Sequence, residues 1–116
     1  MDLVTKLHDN GIQVCIKEDA RAVVLSTILV QKIPSEHYLR AIQDAVDMAG
    51  GFGEVKRWFV STFSNSFTAT RGLAVLVNTL AGIHGLPVFV FKDELREAIE
   101  TAIPIDPDYQ GEPNIG

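Results

Sequence analysis

The stretch that most constrains this chain runs from Ser61 to Phe91. A hydroxyl-rich loop, Ser61 to Thr68, leads into a helix of roughly four turns. Ser66 or Thr68 can cap that helix by accepting from backbone N–H groups two or three residues on. Gly85 followed by Leu86-Pro87 stops it, because glycine takes the left-handed turn and proline cannot continue a helix. Val88-Phe89-Val90-Phe91 then has the β-branched and aromatic content of a buried strand. Within the helix, Leu73, Leu76, Val77, Leu80 and Ile83 make one apolar stripe. Ala74, Val75, Ala81 and Gly82 make a second surface of smaller residues, and between Leu73 and Ile83 only Asn78 and Thr79 are polar. A helix apolar on two sides is buried on two sides, yet a domain this small has one core. The second side asks for a partner.

The motifs of this stretch carry a resemblance. Ser66-Phe67-Thr68-x-x-Arg71, the pair Leu80-Ala81 and Gly85-Leu86-Pro87-Val88 resemble the second half of the N-terminal lobe of the TsaB (YeaZ) family. The family pattern is close to Gly-Pro-Gly-Ser-Phe-Thr-Gly-Leu-Arg, a Leu-Ala pair one helix later, and Gly-Leu/Ile-Pro-Leu/Val. Here Phe63, Ser64 and Asn65 stand in place of Gly-Pro-Gly, and Ala69 stands at the next glycine. The resemblance implies an accessory, non-catalytic protein of bacterial tRNA threonylcarbamoyladenosine synthesis. Its N-lobe helices would pair with those of the catalytic subunit TsaD, or with a second copy, as a four-helix bundle.

Composition narrows the class. A chain of 116 residues with 47% apolar content is a single domain, long enough to bury about two-thirds of its unfolded surface. Cys15 is alone, which excludes disulfide stapling and points to a reducing cytoplasm. No apolar run reaches the roughly 20 residues of a membrane span, and the first residues lack the basic-then-apolar order of a secretory signal. The net charge of −5 is uneven: residues 1–91 hold eight acids and eight bases, residues 92–116 seven acids and two bases. Without a basic footprint, direct tight binding of nucleic acid is not expected.

Taken in order, Leu3 to Leu7 alternates as a first strand. Asn10-Gly11 is the favoured hairpin pair, Ile12 to Ile16 alternates again, and Ala22 to Val30 is a third, more apolar strand. Lys32 to Glu36 opens a helix with two apolar stripes: Leu39, Ile42, Val46 and Ala49, then Tyr38, Ala41, Ala45 and Met48. Gly50-Gly51-Phe52-Gly53 ends it, and Trp58-Phe59-Val60 is a fourth strand. Residues 92–103 predict a final helix with Leu95, Ala98, Ile99 and Ala102 on one face. The order β-β-β-α-β-α-β predicts an α/β fold with a mixed sheet and parallel pairs made by right-handed crossovers. It is also the order of a single ribonuclease-H-like lobe of the sugar kinase, Hsp70 and actin superfamily, to which TsaB belongs. Ser35-Glu36 before Leu39 resembles that family's His-Ser-Glu-x-Leu/Leu pattern, with Pro34 in place of the histidine. The expected division is residues 1–103 as the lobe and 104–116 as an extended tail containing proline and glycine. Tyr109 and Glu112-Pro113 faintly resemble the ending of full-length TsaB, which would make the chain complete with most of a second lobe deleted.

Catalytic readings fit poorly. Asp9 sits near the phosphate turn of superfamily kinases, but Asn10-Gly11 is explained by hairpin chemistry and a second lobe is lacking. A ribonuclease-H nuclease needs clustered carboxylates for two metal ions, and neither Leu3 to Leu7 nor Trp58 to Thr62 supplies one. His8, His37 and His84 lack ligand spacing to one another or to Cys15. The serines of Ser61 to Ser66 lack a nucleophile elbow, Arg71 ties the loop down, and an anion on the helix start near Thr68 ranks below self-capping.

The expectation is therefore a TsaB-like scaffold without cofactor, metal or catalytic residues. Its partner interface is Tyr38, Ala41, Ala45 and Met48 beside Ala74, Asn78 and Ala81, with Ser66, Phe67, Thr68 and Arg71 as the family-motif loop and helix start. The partner is a TsaD-like enzyme, with a TsaE-like ATPase as a further candidate. The alternatives are a homodimeric module of the same fold outside the tRNA pathway and, more remotely, a small anion- or nucleotide-binding enzyme.

Overall fold

The computed structural model describes residues 1–8, 11–18, 21–28, 36–61, 67–92 and 94–105. Three strands come first: β1 (Asp2–His8), β2 (Gly11–Glu18) and β3 (Arg21–Ile28). They are followed by α1 (Glu36–Met48), β4 (Arg57–Ser61), α2 (Phe67–His84), β5 (Val88–Val90) and β6 (Ile99–Thr101). The sheet order is β3-β2-β1-β4-β5-β6. β1 runs antiparallel to β2 and parallel to β4, and β4 runs parallel to β5. The expected meander and the mixed sheet are both present.

Alternation along the strands decides which side is covered. Leu3, Thr5 and Leu7 pair with Ile16, Val14 and Ile12, while Leu3 and Thr5 also pair with Trp58 and Val60. All of these side chains are buried. They form one cluster with Tyr38, Ile42 and Val46 of α1 and Leu73 and Val77 of α2, so both helices lie on this face. Inside it, the Trp58 indole Nε1 donates to Thr5 Oγ1 at 2.9 Å, which satisfies a polar group that burial would otherwise penalise. On the opposite face Phe59 and Phe89 stack at 4.9 Å. The Arg57 guanidinium lies over both rings and pairs with Asp2 at 2.7 Å.

Both helix ends follow from glycine. Gly50 has φ 105 and Gly85 has φ 65, in the region where a side chain is strained. Past α1, the Gly51 N–H reaches Val46 O at 2.9 Å and the Gly50 N–H reaches Asp47 O at 3.2 Å. Past α2, the Leu86 N–H reaches Ala81 O at 3.0 Å. Orphan terminal carbonyls are satisfied in this way.

The C-terminal expectation is overturned. Residues 92–103 are not a helix: a single 3-10 turn, Leu95–Glu97, is followed by β6, antiparallel to β5. Without β6, strand β5 would leave a row of backbone N–H and C=O groups open at the sheet edge. Pairing Val90 with Ile99 through Val88 with Thr101 closes them, a non-local gain that helical periodicity cannot register. The proposed inward helix face is not buried, since Ile99 is 71% exposed. The fold instead continues past residue 103 to Ile105, whose side chain belongs to the core. Residues 106–116, with the Tyr109 and Pro113 likeness, lie outside the described residues.

Candidate partner-binding surface

α1 turns out to have one apolar face. At ~100° per residue, its two predicted stripes are neighbours and merge: Tyr38, Ala41, Ile42, Ala45 and Val46 are all buried. What α1 shows to solvent is polar, with His37, Arg40, Gln43, Asp44 and Asp47 exposed. Met48, at 75% exposure, is the apolar exception.

α2 is different, and it keeps two apolar sides. Thr70, Leu73, Ala74, Val77 and Ala81 face the sheet and α1 and are buried. The opposite side presents Arg71, Val75, Thr79, Gly82 and Ile83, flanked by half-buried Leu76 and Leu80. Val75 is 57% and Ile83 is 70% exposed. Arg71, at the start of that face, is the single charged residue of the stretch 71–83. Val75 and Ile83 are left in water about two turns apart on one face, with Leu76 and Leu80 half-buried beside them, which makes this face the candidate contact surface.

The expected interface is thereby redrawn. Tyr38, Ala41, Ala45, Ala74 and Ala81 lie inside the chain's own core, and a partner approaching the folded chain cannot touch them. The small residues of α2 let the helix approach its own sheet and α1 closely, not a second protein. Burial alone pushes the Tyr38 hydroxyl pKa upward, as expected for a phenol without an ionic partner. Asn78 is engaged within the chain: its Nδ2 donates to Ile105 O at 3.2 Å, and its Oδ1 accepts from the Ile105 N–H at 2.7 Å. Of the seven expected residues, Met48 stays available outright.

For the motif residues, Ser66 lies outside the described residues. Phe67 and Thr68 form the first turn of α2, and Arg71 is exposed one turn later. The loop that Arg71 was expected to hold, residues 62–66, is likewise outside the described residues. The Asn78–Ile105 clamp was missed in the sequence. Its signal was an amide alone in an apolar helix, with Ile103-Pro104-Ile105 downstream.

Among the described residues no group of His, Cys, Asp and Glu could hold a metal ion, and no helix is long and apolar enough to cross a membrane. Cys15 is buried, and its thiol pKa is raised by that burial, with Lys17 pulling weakly the other way. This is the environment of an inert thiol.

A sheet order of β3-β2-β1-β4-β5 with two helices on one face can be compared with solved structures. YeaZ from Pseudomonas aeruginosa superposes with a TM-score of 0.69 at 20% identity, covering 79% of this chain and 43% of that one. The chain has the fold of part of YeaZ. A second structure, a protein from Pseudomonas aeruginosa described as similar to peptidase YeaZ, gives a TM-score of 0.68 at 20% identity with the same coverage. This chain thus spans less than half the length of the structures it matches. No family model matches the chain, and no curated protein matches it in sequence.

Proposed function

We propose that this chain is a TsaB-like accessory subunit, a ribonuclease-H-like lobe that docks on a TsaD-like enzyme and supports its threonylcarbamoylation of adenosine 37 in tRNA. The observation that carries the reading is the solvent-facing apolar side of α2 on a YeaZ fold. Val75, Leu76, Thr79 and Ile83 form the docking stripe, and exposed Met48 of α1 supplies a flanking contact. Flexible, polarisable Met and aliphatic side chains suit a helix-on-helix contact. The antiparallel β1–β2–β3 meander beside the parallel β1–β4–β5 set supports the ribonuclease-H-like topology. Cytoplasmic residence follows from that role, and a TsaE-like ATPase is a further candidate partner of the assembled complex.

The second reading uses the same surface. A stripe with one charged residue at its end is nearly self-complementary, so two copies can pair through α2 about a two-fold axis. Size-exclusion chromatography with light scattering, on the chain alone and mixed with the TsaD-like protein of the same genome, separates the two. A heterocomplex that Val75→Glu and Ile83→Glu dissolve supports the scaffold. A homodimer lost in the same variants, with no heterocomplex, supports the module. A monomer indifferent to the TsaD-like protein refutes both.

A further inference from the structure

Asn78 sits on the edge of the α2 surface, between the buried side and the exposed stripe, and this chain's own C-terminal segment lies against it there, leaving Gly82 exposed. Ile105 is held by both ends of the Asn78 amide, at 2.7 and 3.2 Å, and its side chain is 4% exposed. Two residues earlier, Ile103 Cδ1 lies 3.7 Å from where a β-carbon on Gly82 would stand. The segment therefore crosses the flank of α2 from β6 to Ile105, against the side where its small residues begin.

The attachment is slight. Ala102, Ile103 and Pro104 are exposed, and Ile105 is the one buried side chain between Ile99 and Ile105. β6 adds three residues of edge pairing. Beside it an open cleft of ≈ 420 Å³ is lined by Leu86, Pro87 and Val88 together with Glu100, Thr101, Ala102 and Ile103. A segment held by one side chain, one amide and a short edge ladder lies at the low end of the local-stability range. The inward face of α2, held by Leu73, Ala74, Val77 and Ala81, remains packed on the core residues of the sheet and α1.

We propose that residues 99–105 are a displaceable strap that lies against the Asn78 flank of α2 and lifts when a partner docks on the adjoining stripe. The proposal rests on the docking reading above. In the free chain the strap satisfies Asn78 and covers apolar surface. A partner helix seated on Val75, Thr79 and Ile83 reaches full contact only after displacing Ile103 and Ile105. Partner affinity is then lowered by the strap's closed population.

The test is hydrogen exchange at the Ile105 amide, followed by NMR on the full chain alone and saturated with the TsaD-like protein. Affinities are measured in parallel for wild type and Asn78→Ala. The strap predicts Ile105 exchange at least about tenfold faster in the complex, while the amides of α2 become slower. It also predicts roughly tenfold tighter binding by Asn78→Ala, since each lost hydrogen bond had favoured the closed form by a modest net amount. A complex that forms with Ile105 still protected, or one that Asn78→Ala weakens, overturns the strap and leaves the docking reading standing. Absence of binding by wild type and variant alike overturns both.

Discussion

Ala74 and Val75 are neighbours in sequence on opposite sides of α2, and glutamate placed at each in turn should give opposite results. Ala74 is 2% exposed and packs in the core, whereas Val75 is 57% exposed. At position 74 the longer side chain overfills a packed site, at about 1–3 kcal/mol. Its carboxylate would also be buried without a partner, so the native state holds it protonated. Keeping a carboxyl protonated at pH 7 against an ordinary pKa near 4.3 costs about 4 kcal/mol. Together these approach the whole stability of a small domain, roughly 5–15 kcal/mol. The sign with pH is fixed by linkage. The folded pKa is raised, so the native state binds the proton more tightly than the unfolded state does. The penalty then grows as pH rises above the unfolded value, and shrinks by about 2 kcal/mol between pH 7 and pH 5.5. At position 75 the charge reaches water, and the change should stay within about 0.5 kcal/mol. Urea unfolding followed by fluorescence of the single tryptophan, buried Trp58, reads both variants. Wild-type stability of Ala74→Glu at pH 7, or a deficit that does not shrink at pH 5.5, would refute this orientation of α2. Loss of partner binding in Ala74→Glu would report unfolding, and only Val75→Glu probes the docking surface.

Thr5→Val leaves the Trp58 N–H buried without its acceptor and should cost about 1–3 kcal/mol by urea unfolding; Thr5→Ser, which keeps the hydroxyl, should recover part of it. Gly85→Ala meets no atom within 4 Å, so its cost is the left-handed backbone alone, about 1 kcal/mol by thermal melting. Gly50→Ala should cost more, because φ is 105 and a β-carbon would stand 3.0 Å from Glu54 Cγ; equal losses would contradict the two geometries. Cys15 is buried with a raised thiol pKa, so a thiol-disulfide reagent at pH 8 should modify it at least tenfold more slowly in the native chain than in urea. Comparable rates would show that this face of β2 is open.

Much of the architecture follows from local sequence. Alternation from Leu3 to Ile16, the helix stops at Gly50 and Gly85, and the apolar strands at Trp58 and Val88 each state their element. The order of these elements states a mixed sheet. Periodicity also located the apolar positions of both helices, but it could not say which azimuth faces inward. On α1 two stripes one residue apart in angle became one buried face. On α2 the small side, Ala74 and Ala81, went inside, because a helix lying close to a sheet and a second helix has room there only for short side chains. Leu76 and Ile83 were left toward solvent. The C-terminal segment shows the same limit. Residues 92–103 carry good helix formers at helical spacing, and only the open edge of β5 and the Asn78 amide, brought near by the folded chain, draw them into β6 and the strap. What the sequence determined by itself was each element's type and its apolar residues, since those depend on neighbours along the chain. Which surface meets water, and where the last residues go, the tertiary structure decided, because sheet edges and helix flanks exist only once distant segments have come together.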